Sequence, residues 1–339
     1  MTSLVQINKG YPKIQIITIN LSNIMNNKLL KSIDSAIGRT KEITYEPSTA
    51  DALRARLSEE LDWLDADPGR ECLVVLLRDL ASGMRSARIP MSPGYSFLPD
   101  SILLYLNGVT KVDPVEWDLP FRRFSNAVHD GAEIPFEAGP GSLAVARDIL
   151  SNRENELILE TAPGVFKVTF LDGDCLRDVT LRITEFGALD KFRRTVRDGW
   201  HQLDEAALRL FRRGSTDGSV WFETDRMREM LSEFEPESMS DLVLLNSIYY
   251  PGRIALYPEI LRRKQSPGTI PSTGNANADR ILRDTYGVLV YQEQALMLQE
   301  AGCPVDTHLK DLALKGHEVA RTMLSVEALW PRRLKTSLR

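Results

Sequence analysis

The stretch from Arg283 to Gly302, RDTYGVLVYQEQALMLQEAG, sets a glycine directly behind an aromatic, then a short β-branched run, then Gln292, Glu293 and Gln294 in succession. Two readings compete for it. One is a turn or short strand feeding the first turn of a helix. The other is a surface whose polar side chains are aimed at a substrate.

Working outward, 339 residues exceed the usual single-domain range of about 100–200 and supply ample core. Apolar residues at 43% and charged residues at 26% exclude disordered, collagen-like and membrane classes. The longest N-terminal apolar run, from Ile14, is broken by Asn20, Ser22 and Asn23. It is far short of the roughly 18 residues a membrane span needs, and no secretory signal precedes it. Cys72, Cys175 and Cys303 are widely spaced and carry no zinc-binding pattern, so a reducing, cytoplasmic setting is expected, with no metal or cofactor held by them. Residues 1–249 hold 29 Lys/Arg against 38 Asp/Glu, whereas residues 250–339 hold 13 against 9. The C-terminal part is therefore mildly basic, which suits phosphate contacts and equally suits a solvated surface.

The residue pattern predicts a helix over Pro47–Asp67 with Ser48 or Thr49 as its cap, and a buried run from Cys72 that reads as strand then helix. A helix capped by Asp100 and ended by Gly108 follows, then a helix at Leu143–Leu150. The alternation from Val165 to Ile183 around Asp172-Gly173 is a hairpin signal. Further helices are expected at Lys191–Leu203, Glu205–Arg212, Asp225–Phe234 and Asp241–Ile248, with a loop at Ser266–Asn277.

Three blocks then stop being generic. Ile89–Phe124 (IPMSPGYSFLPDSILLYLNGVTKVDPVEWDLPFRRF), Gly214–Arg253 (ending NSIYYPGR) and the opening stretch with ILRRKQ at Ile260–Gln265 and LKDLALKG at Leu309–Gly316 occur in this order. Together they resemble the palm and fingers of the bacterial replicative DNA polymerase III α subunit family. The resemblance implies an α+β fold: a nucleotidyltransferase-like palm with a mixed sheet and helices, followed by a mostly helical fingers-like region. It divides the chain into an N-terminal segment (1–49), a degenerate palm-like domain with its thumb largely deleted (50–188), a fingers-like region (189–316) and a basic C-terminal tail (317–339).

Members of that family transfer nucleotides with two metal ions about 3.5–4 Å apart, held by carboxylates. The family's Asp-x-Asp pair is absent after Phe124, where Glu133 and Pro135 occupy the two positions and Asp130 or Glu137 lie nearby singly. Thr184 stands at the third Asp, with Glu185 beside it on the opposite strand face. The family's glycine-rich phosphate loop is here Ser92-Pro93-Gly94-Tyr95-Ser96-Phe97. These losses imply a polymerase-inactive relative that keeps at most nucleic-acid, nucleotide or replication-partner binding, with no catalytic residue and no metal. The alternatives are an active DNA polymerase using Glu133, Glu137 and Glu185 with Mg²⁺, or a decaying remnant, which the ending WPRRLKTSLR would suit.

The resemblance marks Arg253, Arg263, Lys264, Tyr291, Gln292, Lys310 and Lys315 as candidate contacts to DNA or to incoming nucleotide. Arg262, Tyr286 and Glu293 stand beside them. Solvated helix faces for the cations, and buried hydrogen bonding for Tyr and Gln, are the competing readings.

Overall fold

The computed structural model describes residues 47–153, 156–172, 175–187, 189, 203–305 and 311–329. All of the helix expected at Lys191–Leu203 except its last residue, together with Lys310 and nearly all of the N-terminal segment, lies outside them.

Helix α1 (Pro47–Asp65) buries Leu53, Leu57 and Leu64. It already includes Ser48 and Thr49, so neither is its cap; Pro47 opens it, where a fixed φ suits the first turn. Helix α2 (Pro68–Ser86) is capped by Asp67, whose carboxylate accepts from the Gly69 amide at 2.9 Å. The run from Cys72 is therefore helix throughout and not strand then helix. The start signal, Asp67-Pro68, lies upstream of the apolar run and carries it. Helix α3 (Ile102–Leu106) is capped by Ser101, not by Asp100. Glu60 of α1 explains the shift: its carboxylate takes the Ser101 hydroxyl and the Ile102 and Leu103 amides at 2.7–3.1 Å, which frees Asp100 for another partner.

Helix α4 (Phe121–His129), strand β1 (Ile134–Ala138), helix α5 (Ser142–Ser151) and strands β2 (Glu156–Ala162), β3 (Val165–Asp172) and β4 (Cys175–Glu185) complete the first half. The sheet runs β1-β4-β3-β2, with β1 parallel to β4 and the other pairs antiparallel. The expected hairpin is β3–β4, in register from Val165↔Arg182 to Asp172↔Cys175. Period-two alternation sends Ile134, Phe136, Phe166, Val168, Phe170, Leu181 and Ile183 into the core, against α2 and α5. The other face carries Leu157, Leu159, Lys167, Asp178, Arg182, Glu137 and Thr184 and is largely polar, as expected for a sheet covered on one side.

The second half is helical: α6 (Glu205–Arg212), α7 (Asp225–Phe234), α8 (Met239–Ile248), α9 (Tyr257–Gln265), α10 (Ala276–Ile281), α11 (Gln292–Glu300) and α12 (Lys315–Ala328). Asp204, Thr224 and Ser238 cap α6, α7 and α8 through their side chains. Part of the stretch read as a loop, Ser266–Asn277, is the short 3₁₀ turn Pro267–Thr269 and the start of α10, capped by Asn275. Residues 315–328 correct the expected basic tail: they form α12, which buries Val319, Ala320, Leu324 and Val326. The charged residues that suggest a tail begin only at Arg332.

The molecule is thus α+β, with a small mixed four-stranded sheet and many helices. One core joins α1–α5 to the sheet; a second joins α6–α9, α12 and Tyr291, and reaches back to Val112 and Leu119. Among the described residues, no helix is long and apolar enough to cross a membrane.

Candidate functional site

The opening stretch resolves residue by residue. Arg283–Thr285 is a 3₁₀ turn, after which Tyr286 (φ +55°) and Gly287 (φ +74°) are both left-handed. The Tyr286 carbonyl accepts from Arg263, and a Cβ on Gly287 would stand 2.9 Å from the Arg263 guanidinium. That is why glycine follows the aromatic. Tyr291 forms a parallel bridge to Ala313 and opens α11. The Gln294 carboxamide turns back to accept from the Val290 and Tyr291 amides and donates to Ile281 and Thr285. Glu293, 1% exposed, accepts from the Gly316 amide at 3.2 Å and lies 3.7 Å from Arg123. Arg123 itself pairs with buried Asp100 at 2.6 Å. Of the three successive polar residues, Gln292 alone has its side chain unpaired among the described residues, and it is half-buried.

A second feature stands where α8 ends. Tyr250-Pro251-Gly252-Arg253 is a turn closed by the Arg253 amide donating to the Tyr250 carbonyl at 3.0 Å, with Gly252 at φ +88°. Proline and glycine at its two central positions suit a type II turn. The turn folds Arg253 over the Tyr250 ring, 4.6 Å from its centre. Arg321 of α12 donates to the hydroxyl of the same tyrosine and lies over the Trp221 ring at 5.4 Å. Between them Glu318 accepts from Asn246 at 2.9 Å and sits 3.9 Å from Arg321. Burial pushes its carboxyl up to about 7, against the pull of Arg321 and Arg253.

Helix α12 also closes on the 92–97 loop. Tyr95 meets the His317 ring edge-on at 4.9 Å, and the Ser96 amide points at His317 Nδ1 at 3.4 Å. Burial, with Arg321 and Arg123 nearby, drives the His317 pKa down to about 3, so the ring is neutral and Nδ1 can accept. Gly94 packs against Pro99, and Ala320 of α12 is 3.4 Å from where its Cβ would stand. The recess between this loop and β1, lined by Ser92, Tyr95, Thr110, Phe136 and Glu137, has room for about one water molecule.

The sheet carboxylates are each engaged separately. Glu133 forms a two-pronged ion pair with Arg182. Glu185 lies on the helix-facing side and accepts from the Gly141 and Leu143 amides at 2.9 and 3.0 Å, filling the place of a side-chain cap on α5. Glu137 is the strand partner of Thr184, so the register sets Glu137, and not Glu133, beside Thr184. Burial raises its pKa, while Ser92 and Arg321 oppose that rise. Among the described residues, no group of three or more His, Cys, Asp or Glu is placed to hold a metal ion.

Comparison with known proteins bears on the helical half. The family described as the bacterial DNA polymerase III alpha subunit finger domain matches residues 193–305. The DNA polymerase III subunits alpha of Staphylococcus aureus and Staphylococcus epidermidis are each 32% identical over 95 residues, covering 28% of this chain. The chain is a partial polymerase III α-like protein. The matched segment spans 9% of the length of those relatives.

On this polymerase III α-like scaffold the candidate cations divide. Arg263 is paired to Glu259 at 2.7 Å and to the Tyr286 carbonyl, and Lys264 to Asp241 at 3.1 Å while lying over the Phe234 ring. Lys315 is turned inward, donating to the Trp117 carbonyl at 2.8 Å, and burial lowers its pKa. Tyr291 is 3% exposed, and burial holds its hydroxyl far above the ordinary range. Arg253 has no ion pair among the described residues. Sequence reasoning missed Arg321, Glu318, Trp221 and His317. For the three on α12 the signal was present in the helical spacing of Val319, Ala320 and Val326, ahead of the charged run that follows them.

Proposed function

We propose that this chain is a polymerase III α-like protein that does not transfer nucleotides and that binds nucleic acid or nucleotide in the setting of DNA replication. In this reading residues 50–188 are palm-like and residues 189–316 fingers-like, with α12 packed across both. The observation that carries it is the separate commitment of Glu133, Glu137 and Glu185: one to Arg182, one into a recess near Arg321, one to the start of α5. A two-metal centre needs carboxylates converging on ions about 3.5–4 Å apart. Here Glu133 and Glu137 share a strand face while Glu185 lies on the other.

Primer extension with the purified chain tests the reading, using Mg²⁺ or Mn²⁺ and a primed template. No template-directed incorporation is expected. Incorporation that disappears in Glu137→Ala or Glu133→Ala would establish the active alternative. The binding half is tested with labelled single-stranded and primed DNA. Affinity should fall steeply as salt rises, and binding indifferent to salt would count against phosphate contacts.

A further inference from the structure

Strand β2 is an edge of the sheet, paired to β3 on one side only. The opposite edge, β1, is bridged at Ala138 by Met91, whereas β2 has no such bridge among the described residues. An edge strand presents a row of unpaired N–H and C=O groups, and proteins usually guard it with lysine, proline or a bulge that twists it away. The sequence of β2, ELILETA, contains neither lysine nor proline. Its register shift falls after Glu160, so Glu156–Glu160 is regular strand. Within that stretch Ile158 packs against the core, while Leu157 and Leu159 are 61% and 63% exposed. Their cross-strand partners are polar: Leu157 lies opposite Thr169, and Leu159 opposite Lys167, which is itself paired with Asp178 at 2.6 Å.

We propose that β2 pairs antiparallel with β2 of a second copy of this chain, about a two-fold axis at Ile158, so that one sheet runs through the dimer. Opposed residues of an antiparallel pair point to the same face. Centring on Ile158 therefore sets Leu157 opposite the partner's Leu159 and Leu159 opposite the partner's Leu157, and four leucines meet on the open face. Centring on Leu159 instead would set Leu157 against the partner's Thr161. On the covered face Glu156 comes opposite the partner's Glu160, and bare like charges there would oppose pairing. Both are already neutralised, Glu156 by Arg153 at 2.6 Å and Glu160 by Arg147 at 2.7 Å. Arg147 holds Glu160 through Nε and Nη2, which leaves its Nη1 without a partner among the described residues and able to meet the partner's Glu156. The edge is thus complementary to itself in shape and in charge, as an isologous contact requires. A five-residue strand pair is smaller than a standard interface, so the dimer should dissociate on dilution. This association is independent of the nucleic-acid reading and makes no use of the helical half.

Sedimentation velocity of the full chain across the micromolar range tests the assignment and should show a reversible monomer–dimer equilibrium. Leu157→Lys and Leu159→Lys change exposed positions and should fold, which circular dichroism checks. Each replaces both leucine–leucine contacts across the axis and is expected to weaken the dimer roughly tenfold or more. Asp178→Asn, on the same face but two strands in from the edge, should leave the equilibrium unchanged. The register has its own readout, because opposed residues in such a pair have Cα atoms about 4.5–5.5 Å apart, within disulfide reach. Chains carrying Leu157→Cys mixed with chains carrying Leu159→Cys should, on mild oxidation, give a dimer that peptide mass mapping shows to be linked between positions 157 and 159. A chain that sediments as a monomer throughout, a dimer that both lysine variants leave at full strength, or cross-links that bypass the 157–159 pair would each overturn the proposal.

Discussion

Gly287 and Gln294 show how two residues settle a local fold. At Gly287 the backbone is left-handed, and a Cβ would come within 2.9 Å of both Arg263 Nη1 and Ile270 Cγ2. Gly287→Ala therefore adds strain and dislodges Arg263 from the Tyr286 carbonyl. Urea unfolding should show a loss of about 1–3 kcal/mol, and an unchanged midpoint would deny the constraint. Gln294 is 5% exposed and serves four partners, two amides, a carbonyl and a hydroxyl. Gln294→Ala strands buried polar groups and should cost about 2–3 kcal/mol. The same measurement checks it, with Gln292→Ala, whose carboxamide is unpaired among the described residues, as the near-neutral comparison. Neither effect involves a ligand, so both separate the structural work of this stretch from any binding role.

At the scale of elements, the junction of α1 and α3 is held by one carboxylate. Glu60 is 0% exposed, and burial raises its pKa from 4.5 to about 7 although three hydrogen bonds and Arg56 oppose the rise. The folded state then binds a proton that the unfolded chain has already released between those two values. This contribution to stability is present in full below pH 4.5 and is lost as pH climbs to about 7. Glu60→Gln, which keeps the shape, should flatten the fall in melting temperature across that window; an undiminished slope would show that Glu60 does not titrate there. The helix was legible in sequence, because Leu53, Leu57 and Leu64 recur at helical spacing, and so was the β3–β4 hairpin from its alternation. The cap of α3 was not, because Asp100 and Ser101 are both good caps. Only the arrival of Glu60, 41 residues before Ser101 along the chain, decides between them. The same holds for the candidate site. Tyr250-Pro251-Gly252-Arg253 announces a turn, but that Arg321 meets its tyrosine from a helix 71 residues further on is a tertiary fact.

On the scale of the whole molecule, two hydrophobic cores meet through a polar centre in which Arg123 of α4 serves Asp100 and Glu293, while Glu293 also holds the amide that begins α12. Gly316 makes this approach possible: a Cβ there would stand 2.8 Å from Pro99 Cβ, 3.0 Å from Leu119 Cδ1 and 3.2 Å from Asp100 Oδ1. Pro99 and Asp100 belong to the segment before α3, and Leu119 to the second core, so this glycine is one of the places where α12 meets both cores. Buried charge of this kind is costly unless every partner is in place, so the centre should form or fail as a unit. Gly316→Val should push α12 off the 98–100 segment and leave the Asp100–Arg123–Glu293 group partly unpaired. The expected result is loss of coupling: far-UV and near-UV circular dichroism in urea should report separate transitions, and limited proteolysis should release a stable fragment. Arg123→Met supplies the second arm, with a cost of about 3–5 kcal/mol for two carboxylates left without their cation. Coincident transitions in both variants, at an unchanged midpoint, would mean that the halves are joined by their apolar surfaces alone and that the polar centre only fills the gap between them.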